Sequence, residues 1–187
     1  MLLYTDQVML IEALSKQLGS LLNNTNLKIA TAESCTGGWI AQAVTQVDGC
    51  SAWFDRGFVP YTNEALREML AVKVRTLNKH GAISEPAVLE MALGAVKKSN
   101  ANFSVAVIGA AGPEEGSQEI PVGRVWIAWN MDGETDASCM HFPGERRDIR
   151  AAAVIIALQG LLVRIRNWQD QQANSEKEIP ELLDETE

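Results

Sequence analysis

The sequence predicts an α/β protein: a three-layer α/β/α sandwich with a mixed, mostly parallel sheet and one hairpin. Three observations carry that prediction. Amphipathic helical stretches interleave with short apolar runs in the order α-β-α-β-α-α-β-β-β-α. LKIATA and FSVAVIG are almost wholly apolar, as strands covered on both faces are. VGRVWIAWN and TDASCMHF, split by the turn MDGE, read as a hairpin that supplies antiparallel pairing.

Each element has its own local reason. Val8, Ile11, Leu14, Leu18 and Leu21 recur at three- and four-residue steps, giving a first helix with Thr5 as its cap. LKIATA follows as a buried strand. After Thr36, Gly37 and Gly38 a helix runs to about Val47 and ends at Val47-Asp48-Gly49. SAWFDRGFVPY is rich in aromatic and β-branched residues and reads as a strand, with Pro60 marking its end or an edge. Asn63 opens a short helix in which Ala65, Leu66, Met69 and Leu70 share a face, and NKHG reads as a loop. Ser84 caps a helix through roughly Lys98, with Glu85 and Pro86 in its first turn. FSVAVIG leads into the long loop AAGPEEGSQEIP, and after the hairpin a last helix spans Asp148 to about Trp168.

Composition bounds the function. The chain has 187 residues, 47% apolar and 21% charged, which predicts one soluble domain over residues 1–170 and a flexible acidic tail over 171–187. Net charge is −8, but the last fourteen residues hold six acids and one Lys, so the tail carries −5 and the body −3. A body near neutrality with no basic stretch argues against nucleic acid as a partner. Cys35, Cys50 and Cys139 lack metal-ligand spacing, which implies free thiols, a reducing compartment and no metal. The N-terminus lacks a basic signal-peptide start, and the apolar run AAAVIIAL is too short to span a bilayer. The expectation is a cytoplasmic protein without a membrane partner.

Ligands in open α/β sheets bind beyond the carboxyl ends of parallel strands. ESCTGG and GAAGPEEG fall at two such ends. The helix after ESCTGG offers N–H groups to an anion, and Gly37 and Gly38 allow close approach of a ligand to the backbone. Neither a GxGxxG nor a GxxxxGK[ST] pattern is present. Arg146, Arg147 and Arg150 gather at the start of the last helix, where cations oppose the dipole. They form either an anion cluster or a face paired internally with Glu145 and Asp148, and the residues alone leave both readings open. The residues alone also allow Ser34 as a helix cap and Tyr61 as a core aromatic, and they favour Cys35 as a small buried residue over a nucleophile. His80 and His141 have no partners at ligand spacing.

AESCTGG, SAWFDRGFVPYTNEA, AAGPEEG, PVGRVW and GERRDIR, in that order and spacing, resemble the C-terminal domain of the CinA (competence/damage-inducible) proteins, over roughly residues 8–168. The resemblance implies the three-layer fold, a homo-oligomer and, in active members, hydrolysis of the carboxamide of nicotinamide mononucleotide without metal or cofactor. It places the nucleophile on Ser34 and an orienting or proton-relaying role on Tyr61. Thr36, Gly37, Gly38, Asn63, Gly109, Gly112, Arg146 and Arg150 fall at the substrate, which would be nicotinamide mononucleotide or a similar small anionic metabolite.

The departures cluster in the same places. In a pattern resembling Y-x-N-x-x-K, the family Lys falls on Leu66, which can neither accept the Ser hydroxyl proton nor protonate the leaving ammonia. Ile108 stands for a Thr, Glu114 and Glu115 for glycines, and Ile120 for another Lys. The expectation is therefore a non-catalytic or strongly impaired relative that binds a nucleotide-like metabolite or a partner. The alternative is an active Ser-dependent amidohydrolase forming nicotinate mononucleotide and ammonia.

Overall fold

In the computed structural model, residues 3–113 and 120–183 are described, with side chains as far as residue 175. Helix α1 (Tyr4–Leu22) leads into β1 (Ile29–Glu33), α2 (Trp39–Thr45) and β2 (Phe54–Phe58). Helices α3 (Asn63–Leu70), α4 (Val74–His80) and α5 (Glu85–Lys97) follow, then β3 (Phe103–Gly109), β4 (Arg124–Met131), β5 (Glu134–His141) and α6 (Arg146–Leu183).

The sheet order is β2-β1-β3-β4-β5. Pairs β1–β2 and β1–β3 are parallel, while β3–β4 and β4–β5 are antiparallel. Strands β1, β2, β3 and β5 thus point one way and β4 alone runs back. Side chains alternate between two cores, as a strand's period of two requires. Ile29, Phe103, Val105, Val107 and Ile127 meet α1, α2 and α6, whereas Ala30, Ala32, Ala106, Ile108 and Ala128 meet α3, α4 and α5. The second set is mostly alanine, so α5 can approach the sheet closely.

This topology positions the site. From β1 the chain crosses on the α2 face to β2 and returns on the α5 face to β3, which lies on the other side of β1. The carboxyl ends of β1 and β3 therefore flank the switch point, where a crevice opens in such sheets.

Several boundaries differ from expectation. Thr5 is not a cap, since α1 begins at Tyr4 with Leu3 in the cap position. Cys50–Ala52 form a 3-10 turn, so the following strand starts only at Phe54; β2 is an edge strand and ends before Pro60. NKHG is not a loop but the end of α4, a helix that buries only Thr76 and Leu77 and so shows little periodicity. Helix α6 starts at Arg146: Glu145 precedes it, and Asp148 accepts the Glu145 N–H (3.1 Å) from inside the first turn. It continues past Trp168 to Leu183, and residues 184–187 lie outside the described residues. Ser84 does cap α5, its hydroxyl accepting from the Ala87 N–H at 3.4 Å.

Candidate active site

Ser34 is the first residue after β1, and its N–H still bonds to the Val107 carbonyl of β3 at 2.9 Å. Ser34 is thereby registered against the sheet. The chain then turns through Gly37 (φ +63°) and Gly38 (φ +89°) into α2, a backbone path that side chains with a Cβ rarely follow.

Helix α2 has no side-chain cap at Gly38. Instead Glu33, fully buried, reaches around the turn and accepts the N–H groups of Ile40 (2.9 Å) and Ala41 (2.8 Å). This corrects the expectation that the α2 N-terminus is open to an incoming anion, because the protein's own carboxylate occupies it. Among the described residues the Ser34 hydroxyl has no hydrogen-bond partner.

Five chain segments converge on Ser34 and enclose a recess of about 230 Å³. Ser34 and Cys35 come from the end of β1, Ile108 and Gly109 from β3, and Tyr61, Asn63 and Leu66 from the start of α3. Ala82 and Ile83 from the α4–α5 connection and Arg146 from α6 complete it. Asn63 is placed by the Thr62 cap, whose hydroxyl accepts the Ala65 N–H at 3.1 Å. Leu66 is 2% exposed and packs with Leu70 and Val72, yet one side of it still lines the recess. Met69, expected on the same buried face, points outward. Leu66 therefore lines the site without closing it.

Tyr61 is not a core aromatic, being 67% exposed at the mouth. Its hydroxyl oxygen accepts from Arg146 Nη2 at 3.3 Å, and Arg146 Nη1 donates to the Gly112 carbonyl. A second, larger recess of about 700 Å³ begins on the other side of Arg146, lined by Gly112, Pro113, Gly144, Arg147 and Arg150 among others. It opens at the N-terminus of α6, where helix N–H groups favour an anion. Residues 114–119, with Glu114 and Glu115, lie outside the described residues.

The three arginines divide their tasks. Arg146 faces both recesses. Arg147 lies over the Tyr4 ring at 5.5 Å and pairs with Glu145 and Asp148 at 3.7 Å each, which is the internally paired arrangement. Arg150 turns back onto the Ser34 turn, donating from Nε to the Cys35 carbonyl (3.0 Å) and from Nη2 to the Thr36 carbonyl (2.7 Å). Thr36 is buried and, with Gly37 and Gly38, belongs to the turn rather than to either recess wall.

Among the described residues, no lysine or histidine lines the Ser34 recess. Lys73, past the C-terminal end of α3, pairs with Glu90 (3.1 Å) and lines neither recess. Burial pushes the Cys35 thiol up to about 12, only partly offset by its own backbone N–H, Arg150 and Arg146, which disfavours its thiolate at neutral pH. His80 and His141 are exposed and lie outside both recesses. No cluster of His, Cys, Asp and Glu suited to a metal occurs among the described residues. No helix among them is long and apolar enough to cross a membrane. Sequence reasoning missed Glu33, although a carboxylate closing an apolar strand six residues before an uncapped helix was a usable signal.

Comparison with known proteins follows the same residues. Residues 11–165 match the CinA C-terminal domain. The nicotinamide-nucleotide amidohydrolase PncC of Escherichia coli (strain K12) is 48% identical over 151 residues, covering 79% of this chain and 90% of that protein. Protein YdeJ of the same organism is 38% identical over 152 residues, covering 81% and 88%. Among solved structures, the competence/damage inducible protein CihA from Agrobacterium tumefaciens superposes with a TM-score of 0.81 at 45% identity, covering 84% of this chain and 96% of that one.

Proposed function

The chain belongs to the CinA C-terminal domain family, and from that premise we propose that it is a nucleotide-binding member with strongly impaired or absent amide hydrolysis. Its ligand is nicotinamide mononucleotide or a similar small anionic metabolite held across the two recesses. The observation that carries this reading is the wall of the Ser34 recess. Ser34, Asn63 and Leu66 offer no base there, and the Cys35 thiol stays protonated. Arg146 is a permanent cation and supplies charge but accepts no proton. Ser attack on an amide needs a group that takes the hydroxyl proton and returns it to the departing ammonia. Removing one member of such a catalytic unit lowers kcat by roughly 10⁴ to 10⁶.

Binding asks less of the site. Arg146 offers a guanidinium between the recesses, and the small recess is lined by the apolar side chains of Leu66, Ile83 and Ile108. An anion on the arginine side and a planar ring on the Ser34 side satisfy both. Homo-oligomer formation and a cytoplasmic setting belong to the same proposal, the first checked by sedimentation.

A second reading, a working amidohydrolase, is favoured by one specific convergence: Ser34, Tyr61 and Arg146 share a recess in a chain 48% identical to a nicotinamide-nucleotide amidohydrolase. Titration calorimetry with nicotinamide mononucleotide separates the two. The proposal expects saturable binding heat that ends at saturation. Sustained turnover heat, absent in Ser34→Ala, would establish the second reading instead.

A further inference from the structure

Arg146 and Arg150 stand one helical turn apart on α6, so both side chains leave the same face near the helix N-terminus. Two cations there repel each other and oppose the helix dipole, so each requires acceptors. Arg146 finds the Tyr61 hydroxyl and the Gly112 carbonyl. Arg150 finds two consecutive carbonyls, those of Cys35 and Thr36, immediately after Ser34. Its guanidinium also lies 5.5 Å from the Trp39 ring centroid, and Trp39 packs against Tyr4, so the side chain is held in place from behind.

The other side of the turn is fixed independently. The buried Glu33 carboxylate holds the N–H groups of Ile40 and Ala41. A carboxylate on the strand and a guanidinium on α6 thus grip the same loop, one by its donors and one by its carbonyls. Arg150 and Arg146 act to lower the Cys35 thiol pKa and Glu33 acts to raise it, all of them outweighed by burial.

We infer that Arg150 is a positioning residue and not an anion ligand: with Glu33 it clamps the backbone that presents Ser34, fastening the turn to α6. The inference rests on the reading of the Ser34 turn as a ligand site, but its test needs neither ligand nor turnover.

Cys35 is the reporter. In a Cys50→Ser, Cys139→Ser background it is the sole thiol, and at 6% exposure on the recess wall it reacts slowly with an aromatic disulfide until the turn moves. Arg150→Met removes a cation that favours the thiolate, so electrostatics alone predicts slower labelling. Loss of the clamp predicts the opposite sign, labelling faster by about tenfold or more. The faster labelling should also be nearly independent of low urea, as local opening is, whereas global unfolding responds steeply. Arg150→Lys, which keeps the charge but not the planar fork, should fall between the two. Arg146→Met, which removes a neighbouring charge without touching the turn, should change the rate by less than about threefold.

Arg150→Met labelling at or below the parent rate overturns the inference, and so does acceleration only in step with global unfolding. If Arg150→Met does not fold, Arg150→Lys decides: a rate above the parent's supports the clamp, and an unchanged rate overturns it. Loss of nucleotide binding without faster labelling would make Arg150 an anion ligand. Failure of nucleotide binding in the parent protein would overturn the proposed function and leave this result standing.

Discussion

Arg146 joins the two halves of the site by donating to Tyr61, 3.3 Å away and 85 residues distant in sequence. The same guanidinium donates to the Gly112 carbonyl, so it bonds to the approach to α3 and to the loop after β3 while lining both recesses. Arg146→Met should weaken binding of nicotinamide mononucleotide by about tenfold or more, the scale of a charge-assisted hydrogen bond. Tyr61→Phe keeps the exposed ring and should cost only about two- to fivefold. Titration calorimetry on both variants checks the order, and equal losses would place the anion elsewhere.

Leu66→Lys should restore Ser34-dependent ammonia release if a base is all that is missing. The position is 2% exposed, so the ammonium enters a poorly solvated site and burial favours its neutral, proton-accepting form. The same burial should lower stability by about 1–3 kcal/mol, measured by urea unfolding. A folded Leu66→Lys protein without activity would shift the blame to the altered loop after β3.

The acid side of the stability profile should depend on Glu90 and Asp55. Burial pushes the Glu90 carboxyl up, but the Lys73 N–H and ammonium and the Thr76 hydroxyl outweigh it and hold the group below its ordinary 4.5. Burial likewise opposes the shift at Asp55, where Arg56 and Asn100 hold the carboxyl below 3.8. Both groups titrate lower folded than unfolded, so their stabilisation is complete above the unfolded values and fades as pH falls through the folded ones. Glu90→Gln should therefore flatten the loss of melting temperature below about pH 5 and lower the plateau above it. A parallel acid limb in the variant would contradict the assignment.

Gly38→Ala should destabilise the chain by about 1–2 kcal/mol, because φ is +89° there and an added Cβ disfavours that backbone. Space is not the cause, since the new Cβ would meet only Val59 at 3.5 Å. Thermal unfolding measures the effect, and an unchanged melting temperature would mean the turn has another available path.

The parts of this fold that were legible in sequence were those with a strong local code. FSVAVIG announced a doubly covered strand, MDGE supplied Asp132 and Gly133 at the positive φ values a tight hairpin needs, and Ser84 capped α5. Helix α4 was hidden because seven residues with two buried positions show little period. At the site, Ser34, Tyr61, Asn63, Leu66, Gly109 and Arg146 do meet in one recess, as the motif order implied. Sequence could not show that the charges at Glu33 and Arg150 would be spent on backbone groups of the Ser34 turn. That depends on α6 lying against the turn, a long-range contact no local pattern encodes.

The proposed function depends on Ser34 lacking a working base, and the first measurement is ammonia release from nicotinamide mononucleotide by purified protein, with Ser34→Ala as control. Without a base, release should be indistinguishable from the control over hours at neutral pH. Saturable release that disappears in Ser34→Ala would contradict it and make the chain an amidohydrolase that has replaced its lysine.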